Sequence, residues 1–143
     1  MATSAHSREA RMSEYNGEKS AVLAALRRAG TAWDDNDADA FADGFVENGS
    51  ILFDDDQLTD REAIRDYLRD AFAGRFGGTR LVQDPIEVKV LTPDVAVVIT
   101  DGGVLPPGET DLGKYGAVRA TWVSVRHDGQ WRLFSQQTSP VAG

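Results

Sequence analysis

The sequence predicts an α+β domain, in which N-terminal helices pack on an antiparallel sheet formed by the rest of the chain. Between residues 20 and 73, apolar side chains recur at helical spacing in three separate segments. From Leu81 onward they form long runs typical of strands, separated by turn sequences such as Thr92-Pro93-Asp94 and His127-Asp128-Gly129. Helices followed by a series of strands indicate an α+β arrangement rather than repeated βαβ units.

The bulk properties favour a single domain and exclude several function classes. The chain has 143 residues, 41% of them hydrophobic, which suits one globular unit. Its net charge of −8 makes nucleic acid a poor partner, because phosphate binding needs a basic face. There is no cysteine, so disulfides and thiolate chemistry are excluded. The apolar runs are too short to span a bilayer, and no signal-peptide core precedes them, so we expect a cytoplasmic protein without a membrane partner.

Residues 1–18 are polar and lack a usable period, and we interpret them as an N-terminal tail that precedes a domain of residues 19–143. The first predicted helix starts near Ser20 and ends after Trp33. The second is opened by Asp37 and ended by Asn48-Gly49. The third follows a cap at residue 59 or 60 and stops at the glycines of residues 74–78.

Predicted strands cover residues 50–53, 81–91, 95–100, 115–126 and 131–139. The strand at Val95 is apolar on both faces, and neither face of the strand at Tyr115 is polar throughout. A strand with one face in water should alternate, so both faces of this sheet should be covered. Helices can cover one face. We expect the other to form a homodimer, with Trp122 and Val118 at the interface. The alternative is a monomer whose long charged side chains shield that face.

Several motifs, in order, resemble a known superfamily. They are Asp37-x-Asp39-x-Phe41-x-x-x-Phe45, Asp60-Arg61-Glu62-Ala63-Ile64, Thr92-Pro93-Asp94-Val95-Ala96-Val97-Val98 and Asp128-Gly129-Gln130-Trp131-Arg132-Leu133. Over about residues 20–140 the chain resembles the SnoaL-like and ketosteroid-isomerase-like (nuclear-transport-factor-two-like) superfamily. Within it, the chain is similar to the SgcJ/EcaC family and to members associated with enediyne polyketide biosynthesis. The resemblance implies a cone-shaped curved sheet wrapped by three N-terminal helices, a pocket between them, and usually a dimer.

The resemblance also suggests a general base. Asp54, which follows the first strand, matches the general base of the ketosteroid isomerases in position, and a carboxylate at a pocket mouth can accept a proton from an acidic C–H. The alternative is that residues 54–56 form a solvated acidic loop. The isomerase oxyanion hole does not carry over, since its two positions fall at about Ala29 and Ala117. Steroid-isomerase chemistry of that type is therefore not expected.

Other site residues are predicted from strand alternation and from residue type. We assign Arg119 and Thr121 to the concave face, where Arg119 could stabilise a carboxylate or an enolate. The alternative for Arg119 is an ion pair with an acidic residue of the helices or a place at the rim. Of Gln136 and Gln137, one should face inward, because side chains alternate along a strand. The predicted pocket walls are aromatic: Trp33, Phe53 and Tyr67. The alternative for each is a plain core position, and in a cone-shaped fold the two roles overlap.

We expect neither a metal nor a cofactor. His6 and His127 do not form a ligand cluster, and the sequence has no phosphate-cradling or dinucleotide motif. Three functions remain open. The first is a proton-transfer, cyclising or dehydrating enzyme that acts on a polyene or β-keto intermediate of polyketide biosynthesis. The second is a non-catalytic protein that binds such an intermediate or docks onto the synthase. The third is a general dimerisation module.

Overall fold

A computed structural model describes residues 2–141, with the side chains of residues 16–141 apart from those of residues 114 and 115. The helices are α1 (Ala2–Asp34), α2 (Ala38–Asp43), α3 (Arg61–Phe72) and the short α4 (Gly113–Gly116). The strands are β1 (Phe45–Phe53), β2 (Asp56–Leu58), β3 (Arg80–Thr92), β4 (Val95–Leu105), β5 (Val118–His127) and β6 (Gln130–Pro140).

The strands form one curved, open sheet in the order β2-β1-β6-β5-β4-β3. Strands β3 to β6 are consecutive antiparallel neighbours, as the turn sequences predict. Strand β1 pairs with β6 in parallel, so the sheet is mixed rather than purely antiparallel. This parallel pair places the first and the last strand of the chain side by side. The predicted fold class, a cone-shaped α+β domain with helices at the N-terminal end, is confirmed.

The N-terminal helices differ from the prediction mainly in their limits. Helix α1 continues upstream of Ser20, which is therefore not its N-cap, and the polar residues before it extend the helix as far as Ala2. The division at residue 18 stays a prediction. Helix α2 ends at Asp43, since the segment from Phe45 onward joins β1. Helix α3 is capped by Asp60, whose side chain accepts a hydrogen bond from the backbone N–H of Ala63 at 2.8 Å.

Two strand predictions also need correction. Residues 113–116 form the turn of helix α4, so the strand predicted from residue 115 begins at Val118. Strand β4 runs on to Leu105, well beyond the predicted end at Thr100. Gly102 allows this extension, because a Cβ there would lie 1.8 Å from the backbone oxygen of Val82 on the neighbouring strand.

The main core lies between the helices and the concave face of the sheet. Trp33 at the end of α1 is at its centre and is 1% exposed. Its ring contacts Phe41 edge-on at 5.6 Å and Phe72 edge-on at 5.1 Å, and its Nε1 donates to Thr79 Oγ1 at 3.0 Å. Buried large side chains from α3 and the sheet complete this core: Phe45, Ile51, Ile64, Leu68, Val98, Trp122 and Leu133.

A polar contact also fixes helix α1 to the end of the sheet at which β5 turns into β6. The carboxylate of Glu18 accepts hydrogen bonds from Arg126 and from Trp131 Nε1, the latter at 2.8 Å. The Arg126 guanidinium also lies over the Trp131 ring, 5.3 Å from its centre. These contacts lower the pKa of Glu18, mainly through the Arg126 hydrogen bond and then that from Trp131. None of the described helices is long and apolar enough to cross a membrane.

Candidate functional site

A cavity of about 440 Å³ lies between the helices and the concave face of the sheet. This volume is within the range of small-molecule sites in proteins. The strands place alternate side chains toward it, and small residues on two central strands leave the space open. Among these are Ala120 on β5 and Gly102 on β4. The rest of the wall is mainly apolar: Trp33, Phe41, Ile51, Leu52, Phe53, Phe76, Leu81, Val82, Val104, Val118 and Trp122.

The aromatic residues predicted as walls are placed in two layers. Trp33 and Phe53 line the cavity, with ring centres 6.1 Å apart. Tyr67 of α3 does not line it but stacks on the outer side of Phe53, with ring centres 4.9 Å apart and planes within 7°. Tyr67 therefore orients a wall residue from behind rather than touching the space itself.

The structure distinguishes the two glutamines of β6. Gln136 is 9% exposed and lines the cavity, where it is the register partner of Ile51 and of Trp122. Gln137 is exposed on the opposite face and is paired with Thr121. The Oε1 atom of Gln136 is shielded from solvent and has no hydrogen-bond partner among the described residues. Of the two glutamines, only Gln136 can contact a molecule in the cavity.

At the mouth of the cavity, the carboxylate of Asp54 meets the guanidinium of Arg75. Nη2 of Arg75 lies 2.9 Å from Oδ2 of Asp54, and both residues line the cavity. The side chains are 51% and 71% exposed for Arg75 and Asp54, respectively, so the pair faces both the cavity and solvent. The guanidinium also lies 4.2 Å from the ring centre of Phe76. The hydrogen bond that Arg75 donates to Asp54 raises the pKa of Arg75, which stays a fixed cation.

The local backbone explains why Asp54 is at this mouth. Strand β1 ends at Phe53, and Asp54 has φ +53°, in the left-handed region that Asp and Asn tolerate better than most residues. The chain then turns directly into β2. A short hairpin therefore holds the carboxylate beside the cavity opening.

The face assigned to Arg119 and Thr121 was wrong. On β5, Val118, Ala120 and Trp122 line the cavity, whereas Arg119 and Thr121 are exposed on the outer face of the sheet. Arg119 pairs there with Asp101 of β4, with Nε 2.8 Å from Oδ1. This hydrogen bond raises the pKa of Arg119 and lowers that of Asp101. Arg119 therefore cannot stabilise charge on a molecule in the cavity, and its place beside Asp54 is taken by Arg75.

Trp122 and Val118, which were predicted at a dimer interface, also lie on the inner face of the sheet rather than on its outer face. Trp122 is 2% exposed, and its Nε1 donates to Thr100 Oγ1 at 3.2 Å inside the domain. Val118 also lines the cavity. Neither residue can anchor a contact between sheet faces. The outer face instead carries half-buried aliphatic side chains on β4 and β5: Val95, Val97, Ile99, Val123 and Val125.

Sequence reasoning missed Arg75 and Gln83, both of which line the cavity. Arg75 lies between glycines just after α3. The only sequence signal for its role at the cavity is a cation next to Phe76 in this glycine-rich segment. Gln83 is on the edge strand β3, where its Nε2 is 3.5 Å from the backbone oxygen of Leu26 in α1. An isolated glutamine in a strand gives no comparable signal.

Among solved structures, similar folds are found in proteins from several bacteria. An NTF2-like protein with a cystatin-like fold from Novosphingobium aromaticivorans has a TM-score of 0.79 at 19% identity, covering 96% of this chain and 90% of that one. A protein of unknown function from Mycobacterium tuberculosis has a TM-score of 0.78 at 25% identity, covering 91% and 75%. A putative scytalone dehydratase from Novosphingobium aromaticivorans has a TM-score of 0.73 at 17% identity, covering 91% and 88%.

These structural similarities establish the fold, while the family follows from the sequence match. No curated protein matches the chain. The SnoaL-like domain matches residues 17–136, which is most of the chain and includes the cavity residues of β1, β3, β4 and β5 and Gln136 of β6. The chain therefore belongs to the SnoaL-like domain family.

Proposed function

We propose that this protein binds a small, largely apolar intermediate of polyketide biosynthesis, of the enediyne type, in the cavity between its helices and sheet. The observation that carries the binding role is the cavity of about 440 Å³ with its mainly apolar and aromatic wall. Burial of apolar surface would provide most of the affinity, at roughly 25 cal/mol per Å² removed from water. The pathway is proposed from the sequence motifs that resemble those of the SgcJ/EcaC family.

The binding role is tested by filling the cavity. Ala120 is 5% exposed and lines the space, so Ala120→Phe should place a ring in it. Thr121→Phe is the matched control, because Thr121 is the next residue of β5 and faces outward. Binding of pathway extracts is measured by native mass spectrometry. We expect a bound small molecule with the unmodified protein and with Thr121→Phe, and none with Ala120→Phe. Equal capture by Ala120→Phe would contradict the proposal.

A second candidate function, proton transfer without a cofactor, is favoured by the Asp54–Arg75 pair at the mouth. The Asp54 carboxylate would take a proton from a carbon next to a carbonyl group of the bound intermediate. The Arg75 guanidinium would donate hydrogen bonds to the enolate oxygen that forms, because its contact with Asp54 uses only Nη2 of its nitrogens. The putative scytalone dehydratase with this fold is consistent with such chemistry.

We also propose that the protein forms a homodimer through the outer face of its sheet. The support is the half-buried aliphatic row that includes Val97, Ile99 and Val123. Charged side chains flank this row, among them Lys89 opposite Val97 and Glu87 opposite Ile99. An apolar centre with a charged rim is a common arrangement at interfaces. A contact with the synthase through another surface is compatible with this dimer.

A further inference from the structure

The unpaired amide of Gln136 distinguishes this cavity from a plain apolar one. Four buried side-chain atoms have no hydrogen-bond partner among the described residues, on Gln83, Ser124, Arg126 and Gln136. Only the two glutamines belong to the cavity wall. Gln83 is half-buried at the sheet edge and already donates to helix α1. Gln136 is more than nine-tenths buried, so its unpaired oxygen has no access to bulk water.

Gln136 lies at the inner end of the cavity. Its register partners Ile51 and Trp122 are 1% and 2% exposed. Two residues further along β6, Thr138 lines the cavity but is exposed, and this direction leads toward Asp54 at the mouth. The amide is therefore at the far end of the cavity from the ion pair.

The two indole N–H groups of the cavity wall are already used by the protein. Trp122 Nε1 donates to Thr100, and Trp33 Nε1 donates to Thr79. Thr79 in turn donates its hydroxyl to the backbone oxygen of Phe76 at 2.6 Å. Both indoles of the wall thus have their N–H groups satisfied. Because buried polar atoms are normally paired, the unpaired amide of Gln136 indicates a partner that the chain itself does not supply.

We propose that Gln136 is a specificity-determining residue that hydrogen-bonds a hydroxyl or enol group on the buried end of the ligand. The inference rests on the proposed binding function and deepens it by naming the ligand class: an apolar, unsaturated body with a hydroxyl group at its inner end. The terminal torsion of a glutamine is broad, so the amide can turn its oxygen toward a hydroxyl donor. A hydroxyl also accepts, and so can pair with either end of the amide.

The test uses two probes of nearly equal shape, 2-naphthol and 2-methylnaphthalene, which differ in a hydroxyl and a methyl group. Binding is measured by calorimetry with the full-length protein. We expect the unmodified protein to bind 2-naphthol about five to ten times more tightly, the ratio that one neutral hydrogen bond provides. In Gln136→Met, which keeps the side-chain length, the preference should disappear while 2-methylnaphthalene still binds. Gln137→Met is the matched control, because Gln137 faces outward, and it should keep the preference.

The outcomes separate this inference from the binding proposal on which it rests. If the unmodified protein binds both probes equally, the inference is wrong and the binding proposal stands. If it binds neither probe, the binding proposal fails and the inference with it. A second measurement needs no variant: the side-chain amide signals of Gln136 in the ¹⁵N NMR spectrum should shift with 2-naphthol and not with 2-methylnaphthalene. Equal shifts with both probes would also overturn the inference. Thermal unfolding confirms that Gln136→Met is folded, and we expect no loss of stability, since the amide has no protein partner to lose.

Discussion

Asp54 Oδ2 lies 2.9 Å from Arg75 Nη2, so the carboxylate with the best position to act as a base is held by the one guanidinium among the described cavity-lining residues. The two residues come from different elements, the turn after β1 and the glycine-rich segment after α3. Their pairing joins the two sides of the cavity mouth. Any proton transfer at this mouth would therefore involve both residues.

If the protein catalyses proton transfer, Asp54→Asn should abolish most of its activity while preserving its fold. The substitution keeps the shape, and Asn tolerates the positive φ at this position. Loss of a general base typically costs about 10²–10⁴-fold in turnover. The measurement is product formation in the producing pathway and in single-turnover assays. Glu109→Gln, at an exposed loop carboxylate outside the cavity, is the control and should have no effect. Full activity of Asp54→Asn would leave only the binding function.

Arg75→Gln tests the role of the cation separately from that of Arg119. A donor that stabilises developing charge contributes about 10²–10³-fold, so turnover should fall by that factor. Arg119→Gln removes an arginine that pairs with Asp101 on the outer face, and it should leave turnover unchanged. A large loss in Arg119→Gln with a normal Arg75→Gln would contradict the placement of the site.

Trp33→Ala should strongly destabilise the fold. Trp33 is 1% exposed and packs against four phenylalanine rings, and deletion of a large buried aromatic costs roughly 3–5 kcal/mol. Thr79→Val should cost less, about 1–3 kcal/mol, since it leaves the Trp33 N–H without its acceptor. Chemical denaturation gives both free energies of unfolding. A loss below about 1 kcal/mol for Trp33→Ala would mean that α1 is misplaced.

Stability should depend on pH through Glu18. Hydrogen bonds from Arg126 and Trp131 depress the pKa of Glu18 in the folded protein. The ionised carboxylate is therefore more stable in the folded protein than in the unfolded chain. Its contribution to stability is therefore fully present above the unfolded pKa of about 4.3, and it is lost as the pH falls through the lower folded pKa. Glu18→Gln should reduce the melting temperature at pH 7 and have a smaller effect in acid, once Glu18 is protonated in the folded protein. An equal reduction at pH 7 and in acid would show that the charge of Glu18 is not involved.

The homodimer is tested by placing a charge on the outer face. Val123→Glu should convert the protein from twice the chain mass of 15.5 kDa to a single chain in light scattering at micromolar concentration. Val123 is half-buried on the outer face, so a monomer can accommodate the glutamate in solvent. Thr110→Glu, in the exposed loop before α4, is the control and should stay dimeric. A monomeric unmodified protein would contradict the proposal directly.

Local signals predicted most of the fold. Helix α3 was clear because its apolar stripe and the Asp60 cap agree, and the hairpin at Asp128-Gly129 was clear because its turn residues suit positive φ. The extension of α1 before Ser20 was missed because those residues have no apolar period. The parallel pairing of β1 with β6 was missed because it joins segments more than 80 residues apart, which no local pattern specifies.

The site was predictable only in part, for a specific physical reason. Both faces of β5 contain apolar residues, since Val123 and Val125 lie outside while Ala120 and Trp122 lie inside. Alternation alone therefore could not assign a face to Arg119. The residues that leave the cavity open, such as Ala120 and Gly102, are small. Their small size was therefore a better indicator of the cavity face than alternation. The position of Asp54 at the cavity follows from its place directly after β1 and does not depend on which face a strand presents. The position of Arg75 depends on how α3 packs, which no local pattern specifies.

The proposed function requires that a small, largely apolar molecule occupies the cavity between α1 and the concave sheet. A crystal structure of the protein with a captured pathway intermediate tests it most directly. We expect electron density for the molecule between Trp33 and Trp122, with a polar group within hydrogen-bond distance of the Gln136 amide. Density for the molecule on the outer face of the sheet, or a cavity closed by collapsed side chains while the molecule binds elsewhere, would contradict the proposed function.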